Sequence, residues 1–393
     1  MYHPLLLFSL LIWILSAWIV PLHAEPTAPS PVVGEAIPMR LAAIHKGDVV
    51  YVQALTRLIK TIEEGSGKRI HPELLANGKK GAEEAALQEV IAGNLEGGFF
   101  SPFTLARQVP GFRALATPRL FIRPEQVRGL TGSSLDAALR ESAKGKNLLV
   151  LGYGSYGFYG VLNFRAAAVG AGAPSWNGLP TRVPNDAWMI EVHQALGLQP
   201  SSMPAADLTE AIASGWVQGI AATPEMLNRT AFANANAKGF HLTRHLHGWM
   251  VLVVHQEWFS KLPQELQELI TNTTASTLPQ FMEQAFSQEK KILDKWAAEY
   301  HLPTLIPTDA ELSGEAIKPL AQKNIVESES LLNQPGVVAQ AAAFNQGPPA
   351  PPKREAPAKS GDPAKNKKPA APAAKNPTPA AGNDPANKPR SAP

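Results

Sequence analysis

The sequence predicts an α/β fold, on three observations. Strand-like apolar runs alternate with amphipathic helical stretches, no internal repeat is evident, and the 393 residues are 45% hydrophobic with 18% charged. That much apolar side chain suffices for about two ordinary domains. Alternation of this kind favours largely parallel sheets and sets solenoids and propellers aside.

The elements follow in order. Residues 39–44 read as a first strand, and residues 51–63 place Tyr51, Leu55, Leu58, Ile59 and Ile62 at helical spacing before Gly65 and Gly67 stop the helix. A second helix over residues 82–92 uses Ala86, Leu87, Val90 and Ile91 on one face, and residues 146–152 read as a buried strand. Directly after it comes Gly152-Tyr153-Gly154-Ser155-Tyr156-Gly157, a literal G-x-G-x-x-G. A dinucleotide site needs a helix next and an acid about 20 positions on. Residues 158–164 are instead aromatic and strand-like, and the next acid is Asp186. The stretch therefore reads as a Gly/Tyr-rich strand lining a cleft. Arg182 lies in a short β-like run just before a helix through Trp188, Met189 and Val192, with Asn185 or Asp186 placed to cap it. Residues 263–300 are helix-rich, and Pro279 predicts a kink or a break there.

The two ends have their own chemistry. Residues 5–20 are an apolar run followed by Pro21-Leu22-His23-Ala24, a secretory signal pattern with Ala24 as the last residue removed; an uncleaved anchor is the alternative. Either form sends the folded part across a membrane, to the periplasm. From Gly347 onward the chain is Pro, Ala and Lys with no aliphatic side chain larger than Ala, so it cannot build a core. That tail carries nine basic and three acidic residues, a net of +6, so the formal +3 of the whole chain leaves −3 for the rest. A nucleic-acid role loses its main support, whereas the tail suits a flexible spacer or a basic brush drawn to anionic envelope polymers or lipid head groups.

Catalytic and cofactor signatures are sparse. The absence of cysteine removes thiol nucleophiles, thiolate zinc sites and iron–sulfur clusters. No G-x-S-x-G, H-E-x-x-H or Walker loop occurs, and no cofactor is expected. His241, His245, His247 and His255 cluster in sequence, yet two histidines on one strand face are more simply structural than a metal site. For Arg182 two readings stand: a carboxylate grip beside a helix N-terminus, or a surface pair with Asp186.

Several segments in order resemble the solute-binding receptors of tripartite ATP-independent periplasmic (TRAP) transporters, the DctP-like family. Gly178-Leu179-Pro180-Thr181-Arg182-Val183-Pro184-Asn185 is similar to the family's Gly-Leu-Lys-hydrophobic-Arg-Val-Pro segment. Ala116-Thr117-Pro118-Arg119-Leu120-Phe121, then Met203-Pro204 through Gln218-Gly219, then Trp258-Phe259-Ser260-Lys261-Leu262-Pro263 match further blocks. The resemblance implies a two-lobed binding-protein fold with hinge strands and a long C-terminal helix. It implies a receptor, not an enzyme, that closes over a small organic acid and delivers it to TRAP permease subunits. The implied organisation is a signal peptide over 1–24, a linker over 25–37, lobe 1 over 38–157 plus about 253–325, lobe 2 over 158–252, and a tail over 346–393.

The resemblance also implies site residues. Arg182 grips the carboxylate; Tyr159 stands where a second arginine is common, with Arg165 nearby as a substitute; Gln218 opens a segment that lacks the family's Glu-Asn; His255 replaces an Asn. Tyr153, Tyr156, Tyr159, Trp188 and Trp216 are candidate cleft walls, with core packing the alternative for each. These replacements point to an aromatic or aliphatic monocarboxylate rather than a sialic acid or C4-dicarboxylate. An exported sensor, a degenerate receptor or an exported enzyme are the competing readings.

Overall fold

The computed structural model describes residues 36–165, 176–203, 207–230, 232, 236–312 and 317–343. The expected signal segment, most of the linker and the basic tail lie outside them. Eleven strands are described: β1 (Ile37–Ala42), β2 (Ile70–Leu75), β3 (Gly97–Phe100), β4 (Leu148–Phe158), β5 (Gly160–Asn163), β6 (Pro180–Val183), β7 (Gln199–Ser202), β8 (Gly219–Ala222), β9 (Gly239–His241), β10 (His247–His255) and β11 (Thr304–Leu305). They form two sheets, one ordered β2-β1-β3-β10-β4 and the other β11-β9-β5-β8-β6-β7.

The sheets are mixed rather than largely parallel. β1 runs parallel to β2 and β3, β6 parallel to β7 and β8, and β11 parallel to β9. Every antiparallel pairing involves β10 or β5. These are the strands that lie beside the two direct strand-to-strand passages between the sheets, at Tyr159 and at residues 242–246; the third passage is made by the long helix that leads to β11. A strand returning from the other sheet enters from the end its neighbours leave, so it pairs antiparallel. The expected lobe limits put the return at residue 253; β10 joins the first sheet from His247.

Helix Val50–Gly65 buries Tyr51, Val52, Leu55, Leu58 and Ile62 on one face, the stripe its 3.6-residue period sets out. It lacks a capping side chain, because its N-cap is Val49 and no acid lies in its first turn. The helix Gln264–Tyr300 has 37 residues, about 55 Å at 1.5 Å per residue. Leu266 and Ile270 near its start sit in the core of the first sheet, and Trp296 near its end lies 5.5 Å edge-on from Phe240 of β9. It therefore struts both lobes. No helix among the described residues is long and apolar enough to cross a membrane.

This helix runs unbroken through Pro279, where the sequence predicts a kink or break. Buried neighbours Thr274, Thr277, Leu278 and Met282 hold one face against the protein. Ala275 and Pro279 lie on the exposed face, where water can satisfy the carbonyl left without a donor.

Gly152 and Gly157 account for the G-x-G-x-x-G in structural terms. A Cβ on Gly152 would lie 2.7 Å from the Leu278 side chain, so the glycine lets the long helix approach β4 closely. Gly157 has φ +95°, and a Cβ there would meet the Glu289 carboxylate at 2.7 Å. The motif forms one continuous strand with no helix after it.

Candidate functional site

The site builds up where the ends of both sheets meet. Register fixes which residues of the second sheet point there. Arg182 of β6 pairs with Ile220 of β8, and Gly160 of β5 pairs with Ala222, so Tyr159, Arg182 and residues 223–225 share one end of that sheet. From the first sheet, β1 leads into His45 and the helix carrying Tyr51.

Arg182 is half-buried, and its Nε is buried with no hydrogen-bond partner among the described residues. Burial lowers its pKa, and the neighbouring Tyr159 opposes that shift. The alternative pairing with Asp186 does not form. Asp186 caps helix Ala187–Ala195 by accepting from the Met189 N–H at 3.1 Å, and its other oxygen lies 3.5 Å from Arg107. Among the described residues Arg182 is thus a partly desolvated cation without an anion, an arrangement that costs free energy unless a ligand supplies one.

Tyr159 is buried at the crossing of the two interlobe passages: its N–H donates to the Leu246 carbonyl, and its carbonyl accepts from the Arg244 N–H. Its hydroxyl lies 3.2 Å from that of Tyr156. Burial raises the Tyr159 pKa, while the bond from Tyr156 and the charge of Arg182 pull it down. The phenol stays protonated near neutrality and can donate. Rings continue across to the first lobe, with Tyr156 6.3 Å from Tyr51 and 6.0 Å from His45, and with the Tyr51 hydroxyl 2.5 Å from His45 Nδ1. Burial and the charge of Arg229 push the His45 pKa down to about 4, so it is neutral at physiological pH.

Glu83 adds a carboxylate beside these phenols. It accepts from the Ser101 N–H, from the Ser101 hydroxyl at 3.0 Å and from the Thr104 hydroxyl at 2.8 Å. Burial raises its pKa against those bonds. A small cavity opens next to it, bordered by Ala43, Ile44, Lys80 and Phe99.

Of the residues singled out in the sequence, the structure brings together Arg182, Tyr159 and Tyr156. It does not bring the others to them. Gln218, Trp216 and Arg165 lie at the opposite end of the second sheet, because Asn163 pairs with Gly219 there, about 13 Å along the chain from Tyr159. Trp216 is 70% exposed, the Gln218 amide reaches the Gly215 carbonyl at 3.4 Å, and Arg165 donates to the Asn177 carbonyl at 3.0 Å. His255 ends β10 far from this point; its Nδ1 caps helix Gln256–Ser260 by accepting from the Trp258 N–H, and Nε2 meets Asn147 at 2.8 Å. Tyr153 faces away from Tyr156, as strand parity requires at a separation of three, and donates to Asp136 at 2.7 Å. Trp188 donates to the Ala116 carbonyl at 2.9 Å beneath the Arg113 guanidinium.

Among the described residues no group of three or more ligating side chains could hold a metal ion. His193 and His245 form a buried pair with Nε2 atoms 3.0 Å apart. His193 Nδ1 must donate to the Met189 carbonyl at 2.5 Å, so its Nε2 accepts from His245, whose Nδ1 then accepts from the Thr243 hydroxyl at 2.6 Å. Both rings are neutral; burial pushes His193 down to about 4.

Sequence reasoning missed His45, Glu83 and Glu225. Nothing local marks the first two. Glu225 follows Thr223-Pro224 as an ordinary helix start, and only the fold carries it to the Val50 N–H, 175 positions away.

Two lobes are joined by crossing strands and a strut helix, with a half-buried cation at the face where they meet. The model for "Bacterial extracellular solute-binding protein, family 7" (DctP) matches residues 41–327, and the chain belongs to that family. A solute-binding protein of Verminephrobacter eiseniae is 23% identical over 55% of this chain; the chain spans 63% of that relative's length. An uncharacterized protein of Haemophilus influenzae is 21% identical over 64% of this chain and 75% of its own.

Solved structures of TRAP periplasmic solute-binding proteins share the two-lobed fold. One from Ochrobactrum anthropi, with its C-terminus bound in the ligand-binding pocket, superposes with TM-score 0.72 at 20% identity, over 79% of this chain and 96% of that one. One from Sulfitobacter with bound β-D-galacturonate gives 0.66 at 21%, over 75% and 98%. One from Haemophilus influenzae with bound L-gulonate gives 0.65 at 18%, over 78% and 99%.

Proposed function

We propose that this chain is an extracytoplasmic receptor that closes its lobes over a small organic acid and hands it to a TRAP-type membrane permease. One observation carries the reading: Arg182 is a partly buried guanidinium, with a buried Nε, that no described side chain neutralises. A ligand carboxylate would take its planar fork, with the Tyr159 hydroxyl as a further donor. Lobe closure strengthens that attraction by excluding water. Galacturonate and gulonate in the related structures are single-carboxylate acids, which agrees with one strong cationic grip here.

The remaining walls shape the choice among acids. Tyr51, Tyr156 and Tyr159 give flat apolar contact with hydroxyl tips, whereas Glu83 would repel a second carboxylate. A monocarboxylate with an aromatic, aliphatic or hydroxylated body fits this set, and a C4-dicarboxylate does not. The amino-terminal pattern exports the chain to the periplasm, and the +6 tail associates with anionic envelope components. Calorimetric titration with galacturonate, gulonate, benzoate and succinate tests the reading. At least one monocarboxylate should bind and succinate should not; binding of succinate alone, or of none of the four, contradicts it.

A further inference from the structure

The helix Val50–Gly65 begins without a cap of its own, and the missing acceptor comes from the other lobe. Glu225, in the helix that follows β8, receives the Val50 N–H on Oε1 at 2.7 Å. The first-turn amides of a helix need an acceptor, and their combined dipole favours a negative one. Neither Val49 nor any first-turn residue supplies it. Arg229, one turn further along the same short helix, pairs with Asp48 just ahead of the capped helix and lies 3.8 Å from Glu225. Glu225 is only 6% exposed, so its carboxylate is held against the first lobe rather than in water.

We infer that Glu225 and Arg229 are positioning residues forming a latch between the lobes, which holds the His45–Tyr51 side of the site against the Arg182–Tyr159 side. The inference rests on reading the lobes as the jaws of a receptor, but not on which ligand they hold. In the closed form the helix gains a cap and Asp48 gains a cation; in an opened form both are lost together. The latch therefore adds to closure whether or not an acid is bound, and the receptor's affinity contains its strength. Removing a cap of this kind shifts a two-state balance roughly tenfold.

The chain has no cysteine, so single labels can be placed cleanly. Lys60→Cys on the first lobe and Glu210→Cys on the second, both exposed, would carry spin labels for pulsed distance measurement on the ligand-free protein. The parent should show a short-distance population. Glu225→Ala should move the closed-to-open ratio about tenfold toward the long distance. Glu225→Gln, whose amide oxygen still accepts the Val50 N–H, should restore most of it. Arg229→Ala leaves the cap in place and should give an intermediate distribution, which keeps the test informative if Glu225→Ala folds poorly. A parent with no short-distance population, or Arg229→Ala and Glu225→Ala distributions identical to the parent, overturns the latch. Because no acid is added, that failure is separate from failure of carboxylate binding at Arg182.

Discussion

Replacing Arg182 by Met should move stability and binding in opposite directions. Methionine matches the length of the side chain and removes the charge. The guanidinium Nε is buried without a partner among the described residues, and an unsatisfied buried group costs about 1–3 kcal/mol. Arg182→Met should therefore leave the ligand-free melting temperature unchanged or raise it by about 2–6 °C, at about 2 °C per kcal/mol for a chain of this size. Binding should collapse, because a ligand carboxylate left in the closed cleft without its cation loses about 3–5 kcal/mol, at least a hundredfold in affinity. Thermal melting with and without acid reads both effects in one experiment. At an acid concentration of about 100 times Kd the parent gains about 2.7 kcal/mol, or about 5 °C, and the variant should gain less than about 1 °C. A variant that melts much lower without acid, yet keeps the full acid-induced rise, would refute the carboxylate grip and return Arg182 to a structural role.

Three further outcomes are expected. Glu289 of the strut helix accepts the Phe158 N–H at 2.7 Å, and burial raises its pKa to about 7 despite that bond and the nearby Arg244. Its contribution is fully present below pH 4, falls as pH rises through about 7, and amounts to about 3 kcal/mol; Glu289→Gln keeps the acceptor and should flatten the fall in melting temperature between pH 5 and 7. Gly157→Ala places a Cβ against Glu289 at a φ of +95° and should cost about 1–3 kcal/mol in denaturant unfolding. Pro279→Ala restores a donor within a continuous helix on its exposed side and should stabilise by about 1–3 kcal/mol in the same assay.

Local periodicity made much of this fold legible. The stripe Tyr51, Leu55, Leu58 and Ile62 became the buried face of its helix, and the capping role offered to Asp186 is the one it takes. Pro279 shows where local rules yield, since burial of Thr277, Leu278 and Met282 keeps the helix whole across a residue that disfavours it. The site was legible only in part, for a geometric reason. Arg182 sits in a recognisable segment, and Tyr156 and Tyr159 sit in the Gly/Tyr-rich strand. Trp216, Gln218 and Arg165 are as polar or aromatic as a site demands, yet strand register sends them to the far end of the second sheet. Sequence spacing does not disclose register between strands separated by a helix. For the same reason Glu225 and Val50, 175 positions apart, are joined by one hydrogen bond that no motif announces.

The mixed sheets have a functional meaning as well. The antiparallel strands beside the interlobe passages place Tyr159 where its backbone is held by Leu246 and Arg244 while its hydroxyl meets Tyr156. Movement at those passages therefore moves the Tyr159 phenol directly. Glu289 reaches the same place from the strut helix, at Phe158. The interlobe passage, the phenol pair and the strut helix converge on residues 157–159.

A structure of the protein with the most stabilising monocarboxylate tests the central claim most directly. The account predicts the acid between the lobes, its carboxylate within hydrogen-bond distance of the Arg182 guanidinium and its body against Tyr156 and Tyr159. An acid bound elsewhere, or one whose carboxylate leaves Arg182 unpaired, would contradict it.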